Sequence, residues 1–203
     1  MKRLPFFRIS IALLFLVLPL LSQTDEGKTL LLSHKLVTTD GNSVSLEQLK
    51  GPKGMVLIFW SNTCPWVAKY EARTIEIIKQ YKEKGFGFVL INSNDPRKYK
   101  EENLDYMKKK ADEKKYGCLY VKDRGSKLAS ALGATRTPHV FIFDANNKLV
   151  YKGAIDDNAE NPQKVKNKYV KLALDKLASG QALAYKETKA IGCTIKWYKQ
   201  IEN

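Results

Sequence analysis

Three cysteines and two histidines in 203 residues leave little room for metal chemistry. Cys64, Cys118 and Cys193 are widely separated, so no zinc-site spacing is present, and His34 with His139 makes no credible ligand pair. No metal and no cofactor are expected. An odd cysteine count leaves at least one thiol free within a single chain, and so few cysteines exclude a disulfide-stapled scaffold. Internal repeats, low-complexity linkers and a second domain boundary are also missing. The chain reads as one domain with extensions, and a length of ~150 residues or more is ample for a real core. Long apolar runs are scarce too: Ile9–Leu21 is broken by Pro19 and falls short of the ~20 residues a membrane span needs.

Acidic residues are outnumbered. Twenty-one Asp and Glu face 35 Lys and Arg, a formal net charge of +14. The basic stretches Lys98–Lys115 and Lys164–Lys199 carry no nucleic-acid motif, and Glu101, Glu102, Asp105, Asp112 and Glu113 are interleaved with the first. A solvated helix face explains that pattern, so no nucleic-acid partner is expected and only weak attraction to membrane head groups or acidic partners remains.

What is present begins with a leader. Lys2, Arg3 and Arg8 precede the apolar run, and Ser22 precedes the polar stretch Gln23–Glu26. This layout predicts a signal peptide over residues 1–22 and an exported, periplasmic or extracellular protein; an uncleaved N-terminal membrane anchor is the alternative, because Leu20 fits the cleavage site poorly. In such a compartment disulfides persist.

Cys64 is the most informative residue. The continuous apolar run Met55–Trp60 predicts a strand covered on both faces, followed by the polar turn Ser61-Asn62-Thr63. Pro65 suits the first position of a helix, and apolar spacing continues through Val67, Tyr70, Thr74, Ile77, Ile78 and Tyr81. The thiol therefore stands at a helix N-terminus, where free backbone N–H groups and the helix dipole favour a thiolate. Cys118, in a strand-like run, reads as a buried small hydrophobe.

The remaining order is regular. Two short strands flank Asp40-Gly41-Asn42, and Leu46–Lys50 forms a helical turn. Phe86–Asn92 is a second apolar strand, Asp95-Pro96 opens a helix to about Glu113, and Leu119–Val121 is a strand. A short helix over Ser126–Leu132 precedes a hairpin of His139–Asp144 and Lys148–Gly153, and Asn161-Pro162 starts a helix reaching Ala178. The result is an α/β fold with a mixed central sheet flanked by helices, an N-terminal strand extension, a domain over residues 23–180, and a tail, 181–203, carrying Cys193. In such sheets the site lies beyond the carboxyl ends of central strands.

With Cys64 opening the first long helix and Thr137-Pro138 just before the hairpin, the chain resembles the thioredoxin fold. Asn62–Val67, Gly133–Pro138 and Ile191–Trp197 are similar to the peroxiredoxin-like branch of the redoxins, related to the alkyl hydroperoxide reductase and thiol-specific antioxidant group. The resemblance implies a cis-proline at Pro138 facing Cys64, and a thiol-dependent oxidoreductase. Two departures stand out. Val67 occupies the place of the second cysteine in the Cys-x-x-Cys of thioredoxins. Leu57 and Ser61 occupy the proline and threonine places of the peroxiredoxin Pro-x-x-x-Thr-x-x-Cys motif. Ser61 offers an equivalent hydroxyl, and either Arg136 or Arg73 could supply the supporting charge.

On this reading Cys64 attacks a peroxide or a protein disulfide, Cys193 resolves the product from a mobile-looking arm, and a separate thiol protein restores the pair. A packed tail residue or a permanent bridge are the plainer readings of Cys193. Trp60, Thr63, Pro65, Trp66 and Thr137 would line the substrate groove, with Trp60 equally suited to the core. His139 suits strand packing rather than base catalysis. The rival functions are disulfide exchange without peroxidase activity, and a binding module whose cysteine does no chemistry.

Overall fold

The computed structural model describes residues 31–184 and 186–198; the leader over residues 1–22 falls outside them. β1 (Lys35–Thr38) and β2 (Ser43–Ser45) form the N-terminal hairpin, and α1 (Leu46–Leu49) is a single turn closed at its start by a Ser45–Gln48 capping box. β3 (Gly54–Trp60) and β4 (Phe86–Asn92) are buried at every position, as their uninterrupted apolar sequence requires. α2 (Pro65–Lys82) crosses between them and buries Val67, Tyr70, Thr74, Ile77, Ile78 and Tyr81, the positions its spacing predicts.

Next come α3 (Leu104–Lys114), β5 (Leu119–Lys122) and α4 (Lys127–Leu132). β6 (Arg136–Thr137) leads into the hairpin of β7 (His139–Asp144) and β8 (Leu149–Gly153). α5 (Tyr169–Ala178), β9 (Lys186–Glu187) and β10 (Cys193–Thr194) complete the described residues. Among those residues one sheet has the order β2-β1-β5-β4-β3-β7-β8-β9, while β10 pairs separately with β6. β3, β4 and β5 are parallel, and β7 runs antiparallel to β3 from Gly54↔Asp144 to Phe59↔His139. This is the thioredoxin-like mixed sheet.

Alternation along β3 divides the core between the sheet's two faces. Val56, Ile58 and Trp60 join the α2 and α5 residues Tyr70, Ile78 and Leu174; Met55, Leu57 and Phe59 join Leu128, Phe141 and Ile195. No helix among the described residues is long and apolar enough to cross a membrane.

Three expectations need correction. The helix read from Asp95-Pro96 begins only at Leu104. The Asp95 carboxylate instead accepts from the Arg97 backbone and guanidinium, making a turn, and Asn103 caps α3 by accepting from Tyr106 N–H. Likewise Asn161 accepts from Gln163 N–H to close a short turn, and Asp157 binds Lys166 and Asn167, holding that stretch out of helix until Tyr169. The third is the tail. It is no free arm: Lys186–Glu187 adds to β8, Cys193–Thr194 adds to β6, and Ile195 is buried at 2 % exposure.

Candidate functional site

Cys64 is the N-cap of α2, with Pro65 at the first helical position. The loop before it is organised by a carboxylate that the sequence hides among surface charges. Glu102 is fully buried, and its oxygens accept from Ser61 Oγ (2.6 Å), Thr63 Oγ1 (2.6 Å), Asn62 N–H (3.0 Å), Thr63 N–H (3.3 Å) and Asn92 Nδ2 (2.7 Å). Burial pushes its carboxyl up, but the bonds from Ser61, Thr63, Asn62 and Asn92 outweigh that and hold it below the ordinary value. Asn62 is held further by Glu101 O and Tyr120 OH. Lys122, also buried, donates to Asn92 Oδ1, Asn94 O and Glu102 O, and burial lowers it to about 8.

Opposite the loop, the Thr137–Pro138 peptide is cis. Cys64 Sγ lies 3.0 Å from Thr137 O, so the thiol points at the backbone just before this proline. β10 runs antiparallel along the same segment, pairing Cys193 with Thr137 and Thr194 with Arg136. Cys193 Sγ is thereby placed 2.7 Å from Cys64 Sγ, both thiols free. Residues separated by 129 positions in the chain meet with no backbone movement needed.

Burial, then the hydrogen bond and charge of Cys64, push the Cys193 thiol up to about 11; the Trp66 backbone N–H and the Lys196 charge pull the other way. Both sulfurs thus share the N-terminal end of α2.

Gly192 makes this approach possible. A Cβ there would stand 2.2 Å from Thr137 O and 3.2 Å from Pro138 N. Gly192→Ala is therefore expected to lift β10 from β6 and separate the sulfurs. Cys193 should then alkylate at least ~10-fold faster in the reduced protein, a modest factor for breaking local protection. Unchanged alkylation would mean the backbone absorbs the methyl group.

Other predicted site residues have different positions. Ser61 Oγ is committed to Glu102 rather than turned to a ligand. Arg136 Nη1 binds Thr194 Oγ1 at 2.8 Å and so fastens the tail. Arg73 binds Asp156, Asn158 O and Ala159 O, tying down the loop after β8. Trp60 does not line a groove: it is wholly buried and packs edge-on against Tyr116, because its β3 position faces the core. Thr63 is exposed, its hydroxyl shared between Glu102 and Lys196; Pro65 is exposed and Thr137 is buried. Trp66 lines a cleft of about 430 Å³ with Tyr70, Asp156, Tyr169, Thr188 and Ile191. His139 stacks on Phe141 within the sheet. Burial pushes the Cys118 thiol up to about 12, leaving it inert at neutral pH. Among the described residues no three His, Cys, Asp or Glu side chains converge on a metal position.

Sequence reasoning missed Glu102 and Lys196. Glu102 sits beside the exposed Glu101 in one lysine-rich turn, and no local signal separates them.

The Redoxin family matches residues 23–169, most of the chain. The chain belongs to the Redoxin family. An uncharacterized conserved protein of Geobacillus kaustophilus is similar to this redoxin at 36 % identity and a TM-score of 0.79, covering 87 % of this chain and 94 % of its own. A hypothetical protein of Sinorhizobium meliloti, SMc02350, is similar at 30 % and 0.77, covering 86 % and 96 %. Among curated proteins, the thiol-disulfide oxidoreductase ResA of Halalkalibacterium halodurans is 26 % identical over 113 residues, 55 % of this redoxin. That match spans only 58 % of the relative's length. Peroxidoxin BcpB of Mycobacterium tuberculosis, at 18 % identity and a TM-score of 0.55, shares the fold.

Proposed function

We propose that this redoxin is a thiol–disulfide oxidoreductase whose working couple is Cys64 and Cys193. The observation that carries the reading is the pair of free thiols 2.7 Å apart beside a cis-proline. Their separation in sequence replaces the local pair of a Cys-x-x-Cys motif.

Cys64, having lost its proton, attacks one sulfur of a substrate disulfide; that S–S bond breaks, a mixed disulfide forms and the partner's first sulfur leaves as thiolate. Cys193 then gives up its proton and attacks Cys64 Sγ, forming the Cys64–Cys193 disulfide and expelling the second thiolate. Two electrons and two protons pass to the substrate. A separate dithiol protein or small thiol restores the pair by the reverse exchange.

The Cys193 environment suits this order. Burial keeps the Cys193 thiol raised throughout, and a charge on Cys64 adds to it. Once Cys64 is tied up in a mixed disulfide that addition disappears, and the Trp66 N–H and Lys196 favour the second thiolate. Cys64 is only 4 % exposed with the tail in place, so β10 opens from β6 to admit a protein substrate and closes again before Cys193 resolves the mixed disulfide. The hydroxyl and guanidinium suited to orienting a peroxide, Ser61 and Arg136, are engaged elsewhere, which favours disulfides over hydroperoxides. Export to an oxidising compartment is part of the proposal and rests on the leader pattern of residues 1–22.

The reduced chain is to be divided between oxidised glutathione and one equivalent of hydrogen peroxide, with products mapped by mass spectrometry. Stoichiometric Cys64–Cys193 disulfide from glutathione, with peroxide reacting no faster than with a free thiol, is the expected result. Rapid peroxide consumption at Cys64 would replace this reading with peroxidase chemistry. No disulfide under either oxidant would leave a binding module.

A further inference from the structure

Residues 194–197 do more than end the sheet. After Cys193, the tail is fixed at three points: Ile195 N–H donates to Thr135 O, Lys196 N–H donates to Asn94 Oδ1, and Lys196 O accepts from Asp95 N–H. With its backbone held there, the Lys196 side chain reaches back across the Cys64 loop. Its ammonium donates to Thr63 Oγ1 at 3.1 Å, lies 4.0 Å from Glu102 Oε1, and sits 4.2 Å over the Tyr99 ring. Thr63 directly precedes one reactive cysteine, and Lys196 follows the other by one short turn of chain. The same ammonium therefore bridges the two segments that carry the sulfurs, while Arg136 is committed to Thr194.

We propose that Lys196 is the positioning cation of the couple: it aligns Cys193 with Cys64 through Thr63 and Glu102. This inference rests on the disulfide-exchange reading and names the group that makes Cys193 competent within it. The groups facing Cys193 are Cys64, the Trp66 N–H and Lys196. Those facing Lys196 are Glu102, Thr63 and Tyr99. Two cations flank Cys193: Arg136 is committed to Thr194 Oγ1 and Gly192 O, whereas the charge of Lys196 acts on the thiol itself. Glu102 is the anchor that keeps that charge from swinging into solvent, which gives the buried carboxylate a second task beyond shaping the loop.

The test compares Lys196→Met, which retains an apolar stem against Tyr99, with Lys196→Arg, which restores the charge. Two readouts are needed. One is the equilibrium constant of the Cys64–Cys193 disulfide in glutathione buffers at pH 7, where Cys193 is protonated and alignment alone counts; it is expected to fall about tenfold in Lys196→Met as the two sulfur-bearing segments lose their bridge, and to recover in Lys196→Arg. The other is the pH profile of Cys193 alkylation in a Cys64→Ser background. There Lys196→Met should move the midpoint upward and slow alkylation at pH 8, with Lys196→Arg close to the parent.

A residue that merely fastened the tail would give the opposite sign: faster alkylation at every pH and no change in midpoint. That outcome, or an unmoved midpoint, overturns the inference while leaving disulfide exchange intact. Failure of the parent chain to form the Cys64–Cys193 disulfide overturns the exchange reading, and the alkylation midpoint still decides whether Lys196 acts on Cys193.

Discussion

In a Cys193→Ser chain, a substrate disulfide is expected to remain on Cys64 as a stable mixed disulfide. The parent chain carries its second thiol in contact with the first, 2.7 Å away on a strand hydrogen-bonded to β6. Oriented intramolecular groups act at effective concentrations up to ~10⁵ M or more. Replacing Cys193 with millimolar external thiol should therefore slow release of the mixed disulfide by on the order of a thousandfold or more. Intact-mass analysis after incubation with a disulfide-linked peptide reads this directly: one peptide per chain for Cys193→Ser, none for Cys64→Ser. A peptide trapped on Cys193 of the Cys64→Ser chain at the parent's rate would reverse the two roles. Cys118 should remain unmodified throughout, since its thiol is pushed up to about 12.

Glu102→Gln is expected to be the most destabilising conservative change near the site, by about 3 kcal/mol. The carboxylate accepts from donors on both oxygens, with Ser61, Thr63 and Asn92 side chains among them. An amide turns one oxygen into a donor, so whichever way it is flipped, buried donors face an N–H₂ group. It also removes the negative charge that helps keep the buried Lys122 protonated. Urea denaturation reads the effect, with Glu101→Gln as the exposed control, expected within about 0.5 kcal/mol of the parent.

The pH dependence follows from the sign of the shift. Glu102 is held below its ordinary value in the folded chain, so the unfolded chain binds its proton first as pH falls. Its contribution is full above the unfolded value, about 4.3, and is lost as pH drops through the lowered folded value. Glu102→Gln should remove that part of the acid sensitivity. A destabilisation matching Glu101→Gln would show that the loop holds its shape without the carboxylate.

The two predictions depend on features of different legibility. The run Met55–Trp60, the polar turn, Cys64 and Pro65 are contiguous, and each step has a local cause: apolar burial, turn chemistry, a helix start. Thr137-Pro138 before the hairpin was equally visible, and its match to the Redoxin pattern placed it opposite Cys64. Helix boundaries at Asp95 and Asn161 were misjudged because a proline after Asp or Asn suits a turn as well as a helix start. Here Asp95, Asp157 and Asn161 accept from nearby backbone N–H groups, which favours turns, and Asn103 instead caps the helix that follows.

Local sequence alone determined the strand–cysteine–helix unit, the order of the segments that form β1 to β5, β7 and β8, and Cys64 as the thiol to test. Tertiary structure decided which of two neighbouring glutamates is buried, that Arg136 fastens the tail through Thr194, and that the tail is a strand rather than an arm. The reason is physical. Helix starts and strand alternation come from interactions within a few residues, so spacing records them. The contact of Cys64 with Cys193, and of Lys196 with Thr63, depends on Ile195 filling the core and Gly192 leaving room beside Thr137. Those are packing outcomes between segments brought together only by the folded sheet.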